Sequence, residues 1–216
     1  MVANAHNRWV FGEAPLAEVV DLAQELRELT SAVLALEHAP DEIRVLTDQI
    51  RTARERLAPM LPVDPTPRIG DAPRPEQRVY LDHSRDVGDY NPCFPQYRLE
   101  CADDRAEGTV TFPLCSEGPP GIVHGGVLSL FFDCALQQLN CDLGLAGKTT
   151  NLAVRYRRPT PLLTPLRVVA ERTLDGDRIR SHAELFLDDE LLCAAEMAAV
   201  AGNREALPAV SPRRPS

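Results

Sequence analysis

Asp133 is the residue most at odds with its neighbours, following Phe131-Phe132 and preceding Cys134-Ala135-Leu136. A carboxylate in such company finds hydrogen-bond partners, lines a cavity, turns to solvent, or has its charged form penalised by desolvation. Set near polar groups, it can serve as a general base or as a nucleophile. Nine residues upstream lies His124-Gly125-Gly126. Glycines at a helix start let another group reach the free N–H donors of the first turn, which suit an oxyanion or a phosphate. Sixteen residues after Asp133, Lys148-Thr149-Thr150-Asn151 opens an extended segment. A hydroxyl there can hold a water or orient a carboxylate, although threonine also simply favours strands. Arg155, Arg157 and Arg158 follow within a few residues and, with Lys148, can pair with phosphates or remain solvated.

These groups need elements to hold them. Val127 to Leu143 is apolar nearly all round in its first half, the mark of a helix buried on most sides. Extended segments are expected at Tyr97–Cys101 and Gly108–Phe112 before it, and at Thr149–Arg158, Leu166–Leu174, Arg178–Leu187 and Glu190–Val200 after it. Asp175-Gly176 is a strong hairpin signal and Asp188-Asp189 a weaker one, so the last three strands should form an antiparallel meander. One long helix with a mainly antiparallel sheet is an α+β arrangement in which the sheet wraps the helix. Such a sheet leaves an exposed edge and an exposed helix flank, and a second copy could cover both.

Upstream, Val19, Leu22, Leu26, Leu29, Val33 and Leu36 alternate spacings of three and four, and Ile43, Leu46, Ile50, Ala53 and Leu57 form a second stripe. The expected organisation is a helical hairpin over residues 1–60, a proline-rich linker over 61–90, the sheet-and-helix domain over 91–202 and a frayed tail over 203–216.

The 216 residues are 44% hydrophobic and 25% charged, the mix of a globular protein. A net charge of −9 argues against a nucleic-acid partner, which normally leaves a basic footprint. No apolar run is long enough to span a bilayer, and residues 1–11 lack the pattern of a secretory signal, so a cytoplasmic location is expected. The six cysteines lack C-x-x-C spacing and read as reduced, mostly buried small hydrophobes. His6, His38, His83, His124 and His182 have no ligand-like spacing, and no phosphate loop or dinucleotide fingerprint occurs, so no metal or cofactor is expected.

Taken together, Gly121-x-x-His124-Gly125-Gly126, Asp133, Thr149 and Tyr156-Arg157-Arg158-Pro159 resemble the hotdog-fold acyl-CoA thioesterases, in particular the phenylacetic-acid-pathway (PaaI) and THEM-like branch. The resemblance covers roughly residues 91–200. It implies that Asp133 acts as general base or nucleophile and that the Gly125 N–H polarises the thioester carbonyl. It further implies that Thr149 positions the water or the carboxylate, that His124 is structural or orients substrate, and that Asp133 faces Gly125 of a dimer partner. Gly126, Asn151, Lys148, Arg155, Arg157 and Arg158 are the candidate substrate contacts, the basic ones for the nucleotide end of coenzyme A. The partners so implied are an acyl-CoA and a second copy, as a homodimer or a dimer of dimers, with no nucleic acid or membrane. Some relatives carry an asparagine six residues before the histidine; this chain has Gly118 there. That departure favours a second reading, a non-catalytic acyl-CoA-binding or regulatory protein. A hotdog hydratase would need a histidine base, and Asp82-His83 is the other suggestive pair.

Overall fold

A computed structural model describes residues 15–61, 85–142 and 147–201. Most of the linker, including Asp82-His83, and the tail from residue 202 onward lie outside the described residues. The chain runs through α1 (Ala17–Leu34), α2 (Glu42–Leu57), β1 (Gln96–Ala102), β2 (Arg105–Thr111), α3 (Gly125–Asp142) and β3 (Gly147–Tyr156). It closes with β4 (Pro165–Asp175), β5 (Arg178–Leu187) and β6 (Glu190–Ala201). This is the expected α+β arrangement.

The six strands form one sheet in the order β1-β2-β4-β5-β6-β3, every neighbouring pair antiparallel. Three connections are two-residue turns, and each begins on a residue of positive φ: Asp103, Gly176 and Asp188. Left-handed backbone at that point matches the twist of the flanking strands, and Asp and Gly are the residues that tolerate it. Among the described residues two connections join strands that are not neighbours: α3 carries the chain from β2 to β3 at the far edge, and the segment after β3 returns it to β4 beside β2.

α3 packs on one face of the sheet and touches β1, β3, β4, β5 and β6. Phe131, Phe132, Ala135, Leu136 and Leu139 are sealed from solvent, and Phe131 meets the rings of Tyr97 and Phe112 edge-on at 5.5 Å. The tilted and edge-to-face rings favour contact between the positive rim of one ring and the negative face of the next. Not every flank of α3 is covered: Leu130 remains half exposed.

The cysteines depart from expectation. Cys141 and Cys193 are buried, but Cys93 and Cys115 are exposed and Cys101 and Cys134 lie between. The loops before and after β1 and β2 carry the exposed pair, and loop positions are seldom sealed.

Candidate active site

Four N–H groups in the first turn of α3, those of His124, Gly125, Gly126 and Val127, precede its first i→i−4 bond, which runs from Leu128 to the His124 carbonyl. Three are accounted for: the His124 N–H donates to the Ser116 carbonyl at 2.8 Å, and two others donate to His124. The His124 carbonyl accepts from Val127 and Leu128 at 2.9 and 3.2 Å, and His124 Nδ1 accepts from Gly126 N–H at 3.0 Å. His124 thus caps the helix as an asparagine or serine would, using its ring nitrogen. Among the described residues, the Gly125 N–H alone in that turn has no acceptor. It is a donor at the positive end of an 18-residue helix dipole.

The glycines around His124 explain themselves by close approach. A Cβ on Gly118 would lie 2.9 Å from the His124 Cα and 3.2 Å from its ring, and one on Gly126 would lie 3.1 Å from Nδ1. An asparagine at 118 therefore does not fit this course of the loop. Gly125 is closed on its other side by Tyr156, whose ring comes within 3.3 Å of where a Cβ would stand. The Tyr156 hydroxyl donates to the Gly125 carbonyl at 2.9 Å and lies 2.9 Å from Ser129 Oγ.

Two turns further along the same side, Asp133 Oδ1 accepts from the Thr149 hydroxyl at 2.9 Å, and Gln137 Nε2 donates to Thr149 Oγ1 at 2.6 Å. Gly125, Ser129, Asp133 and Gln137 stand four apart, which aligns them in one stripe on α3. That stripe faces β3, and the strand needs an irregularity to meet it. Thr149 and Tyr156 are seven apart, so a regular strand would send them to opposite faces. The register slips between Thr149 and Asn151, leaving Thr150 as the extra residue of a bulge whose hydroxyl bonds the Ala198 carbonyl at 3.0 Å. The bulge restores Thr149, Leu152, Val154 and Tyr156 to the helix side.

The same bulge separates residues that the sequence places side by side. Asn151 opens with Ala153 onto the outer face of the sheet, beside Arg180 and Glu196, away from Asp133. Arg155 shares that face and pairs with Glu196 at 3.8 Å. Lys148 is exposed. Arg157 and Arg158 do reach the site. With Gly125, Leu128, Tyr156 and Thr160 they line a cleft of about 370 Å³ at the mouth of α3, and Arg158 also bonds Glu190 at 3.1 Å. Cys134 is not a competing nucleophile: burial, with a smaller push from the Asp133 charge, raises its thiol to about 11. Gln137, Ser129 and Tyr156 join the site beyond the candidates that the sequence offers. The four-residue spacing from Gly125 and Asp133 is the signal that could have found the two on α3.

A carboxylate oriented by a hydroxyl and a free amide at a helix start are the parts of an acyl-transfer site. No protein-family model matches the chain. A crystal structure of a thioesterase-superfamily protein is similar over 87% of this chain and 97% of its own, with 26% identity and a TM-score of 0.71. That span exceeds the sheet and α3, so the likeness extends into the N-terminal region. Two further solved structures match about half of this chain. A Streptococcus pneumoniae TIGR4 thioesterase protein with coenzyme A shares 20% identity over 90% of its length at a TM-score of 0.47. A phenylacetic acid degradation-related thioesterase-type protein from Ralstonia eutropha JMP134 shares 21% over 84% of its length at 0.45. The fold of this chain is the hotdog fold of the thioesterase superfamily.

Proposed function

We propose that the protein hydrolyses an acyl-CoA thioester to the free acid and coenzyme A. The observation that carries this reading is the Gly125 N–H, the one donor of its helical turn left without an acceptor among the described residues, on the same stripe as the Thr149-bonded Asp133. The sequence resemblance and the thioesterase-superfamily likeness support it.

Asp133 and Gly125 are eight residues apart on one helix, about 12 Å at 1.5 Å per residue. Both must lie within about 3 Å of the reacting carbonyl group to act on it. One copy therefore cannot complete a site. β3 is an edge strand, free on one side among the described residues. Two copies joined there about a two-fold axis would run their α3 helices antiparallel, so that Asp133 of one copy faces Gly125 of the other. Pairs of such dimers could then stack.

In this reading Asp133 removes a proton from water, or itself attacks, at the thioester carbon. The carbonyl π pair moves to oxygen, which takes the Gly125 N–H. Collapse of that intermediate breaks the C–S bond and releases coenzyme A as thiolate. In the general-base route the thiolate takes the proton held by Asp133; in the nucleophilic route the acyl-Asp133 anhydride left behind is hydrolysed by water to the free acid. Such a donor contributes on the order of 3 kcal/mol where water is excluded. Arg157 and Arg158, at the mouth of the cleft, are placed for the anionic end of coenzyme A.

A panel of acyl-CoAs from short aromatic to long aliphatic, followed by thiol release, tests the reading. Asp133→Asn should lower kcat about 10²- to 10⁴-fold with the fold retained. Mixing Asp133→Asn with Gly125→Pro subunits, the latter lacking that N–H, should restore turnover, because a mixed dimer rebuilds one intact site. Calorimetric binding of a non-hydrolysable analogue without thiol release from any acyl-CoA would overturn hydrolysis and leave the binding-protein reading that Gly118 favours.

A further inference from the structure

We infer that Gln137 is a positioning residue that acts on Asp133 through Thr149, an inference that rests on the hydrolase reading above. The hydrogen-bond bookkeeping of the three side chains leads there. An ionised carboxylate only accepts, so the one hydroxyl proton of Thr149 goes to Asp133 Oδ1, at 2.9 Å. Thr149 Oγ1 is then left with lone pairs alone, and Gln137 Nε2 donates into one of them at 2.6 Å. The other polar neighbour of that hydroxyl is the Met197 sulfur at 3.9 Å, a weak acceptor that offers no proton. Without Gln137 the hydroxyl can rotate away from the carboxylate. With it, one rotor position satisfies every group, and Asp133 is held with Oδ1 engaged and Oδ2 left for chemistry.

The helix makes this arrangement possible because residues 133 and 137 lie one turn apart on the stripe that faces β3. Both side chains are only partly buried, so their geometry comes from the relay rather than from packing. Gln137 bonds the Thr149 hydroxyl and not the carboxylate, so its effect on Asp133 passes through that hydroxyl.

The test is Gln137→Leu, similar in size and without a donor, made alone and in Thr149→Val. With wild-type Thr149, kcat should fall about fivefold with KM unchanged, the value of one hydrogen bond lost from the reacting arrangement. The carboxyl ¹³C titration of Asp133, read without substrate, should move to higher pH because its charged form has lost a fixed donor. In Thr149→Val the leucine should change neither quantity, since the relay is already cut. Equal losses in the two backgrounds, or an unmoved Asp133 titration, would overturn the inference in favour of simple packing. Thermal melting of all three variants controls for folding. Because the titration needs no turnover, a shifted titration in a protein that releases no thiol sinks the hydrolase reading and leaves the relay standing.

Discussion

The two halves of the described chain hold themselves together by different physics. α3 disappears into the sheet, with Phe131, Phe132, Leu136 and Leu139 sealed from solvent. α1 and α2 present Leu22, Leu34, Val45, Ile50 and Leu57 to solvent, and α2 has no buried residue. An apolar cleft of about 470 Å³ opens between them, lined by Leu29, Val33, Leu36, Ile43 and Leu46. α1 buries an apolar and a polar residue, Ala23 and Arg27. Buried Arg27 donates to the carbonyls of Gly88, Phe94 and Asn91, the last two at 3.1 and 3.4 Å. Burial lowers the Arg27 pKa, yet a guanidinium stays charged at any ordinary pH. The segment it grips is tied in turn to α3, since Gln138 bonds Asp86 and the Tyr97 hydroxyl. Apolar burial thus makes the body, and beside buried Ala23 one cation clasping carbonyls ties α1 to it.

That contrast can be broken at its strongest point by Phe131→Ala. Removing a fully buried ring from the centre of the core should cost about 4 kcal/mol and abolish cooperative unfolding near physiological temperature. An unchanged denaturant midpoint would show that the core does not depend on α3. Arg27→Met should cost about 2 kcal/mol, because it strands the buried carbonyls of Gly88 and Phe94, which no other donor reaches among the described residues. Here the loss should appear first as faster amide exchange in residues 88–94, with the sheet still protected. Uniform loss of protection would mean that the two regions are one cooperative unit.

The smallest effect should be electrostatic. Burial raises the Asp86 pKa against the lowering pull of Gln138, Arg98 and the Leu99 N–H. A carboxyl raised in the folded state lends stability that is present at acid pH and fades as pH rises through that value. Asp86→Asn keeps an acceptor for Leu99 N–H and removes the buried charge. Its Tm relative to wild type should therefore climb from acid to neutral pH; a falling difference would make the Arg98 pair, at 3.7 Å, the stronger influence.

Much of the body was legible before any coordinates. The apolar first half of Val127–Leu143, the extended segment at Arg178–Leu187 and the hairpin signal at Asp175-Gly176 are local patterns, and each became the expected element. Short-range periodicity is what the backbone repeats of helix and strand impose on burial. The site was legible in part. Asp133 and Thr149 meet as the motif implied, but Asn151 and Arg155 point to the other face. Their neighbours in sequence differ from them by one bulged residue at Thr150, and a single extra residue reverses every side chain that follows.

Residue order alone therefore determined which segments coil, which extend and which chemical groups are available at the start and middle of the long helix, because these follow from spacing along one chain. Tertiary structure decided which of those groups meet. The tyrosine that closes over Gly125 comes from β3, and the slot that excludes an asparagine at 118 exists because His124 folds back against it. Such contacts depend on pleat parity and on the approach of distant backbones, and neither is written in the interval between two residues.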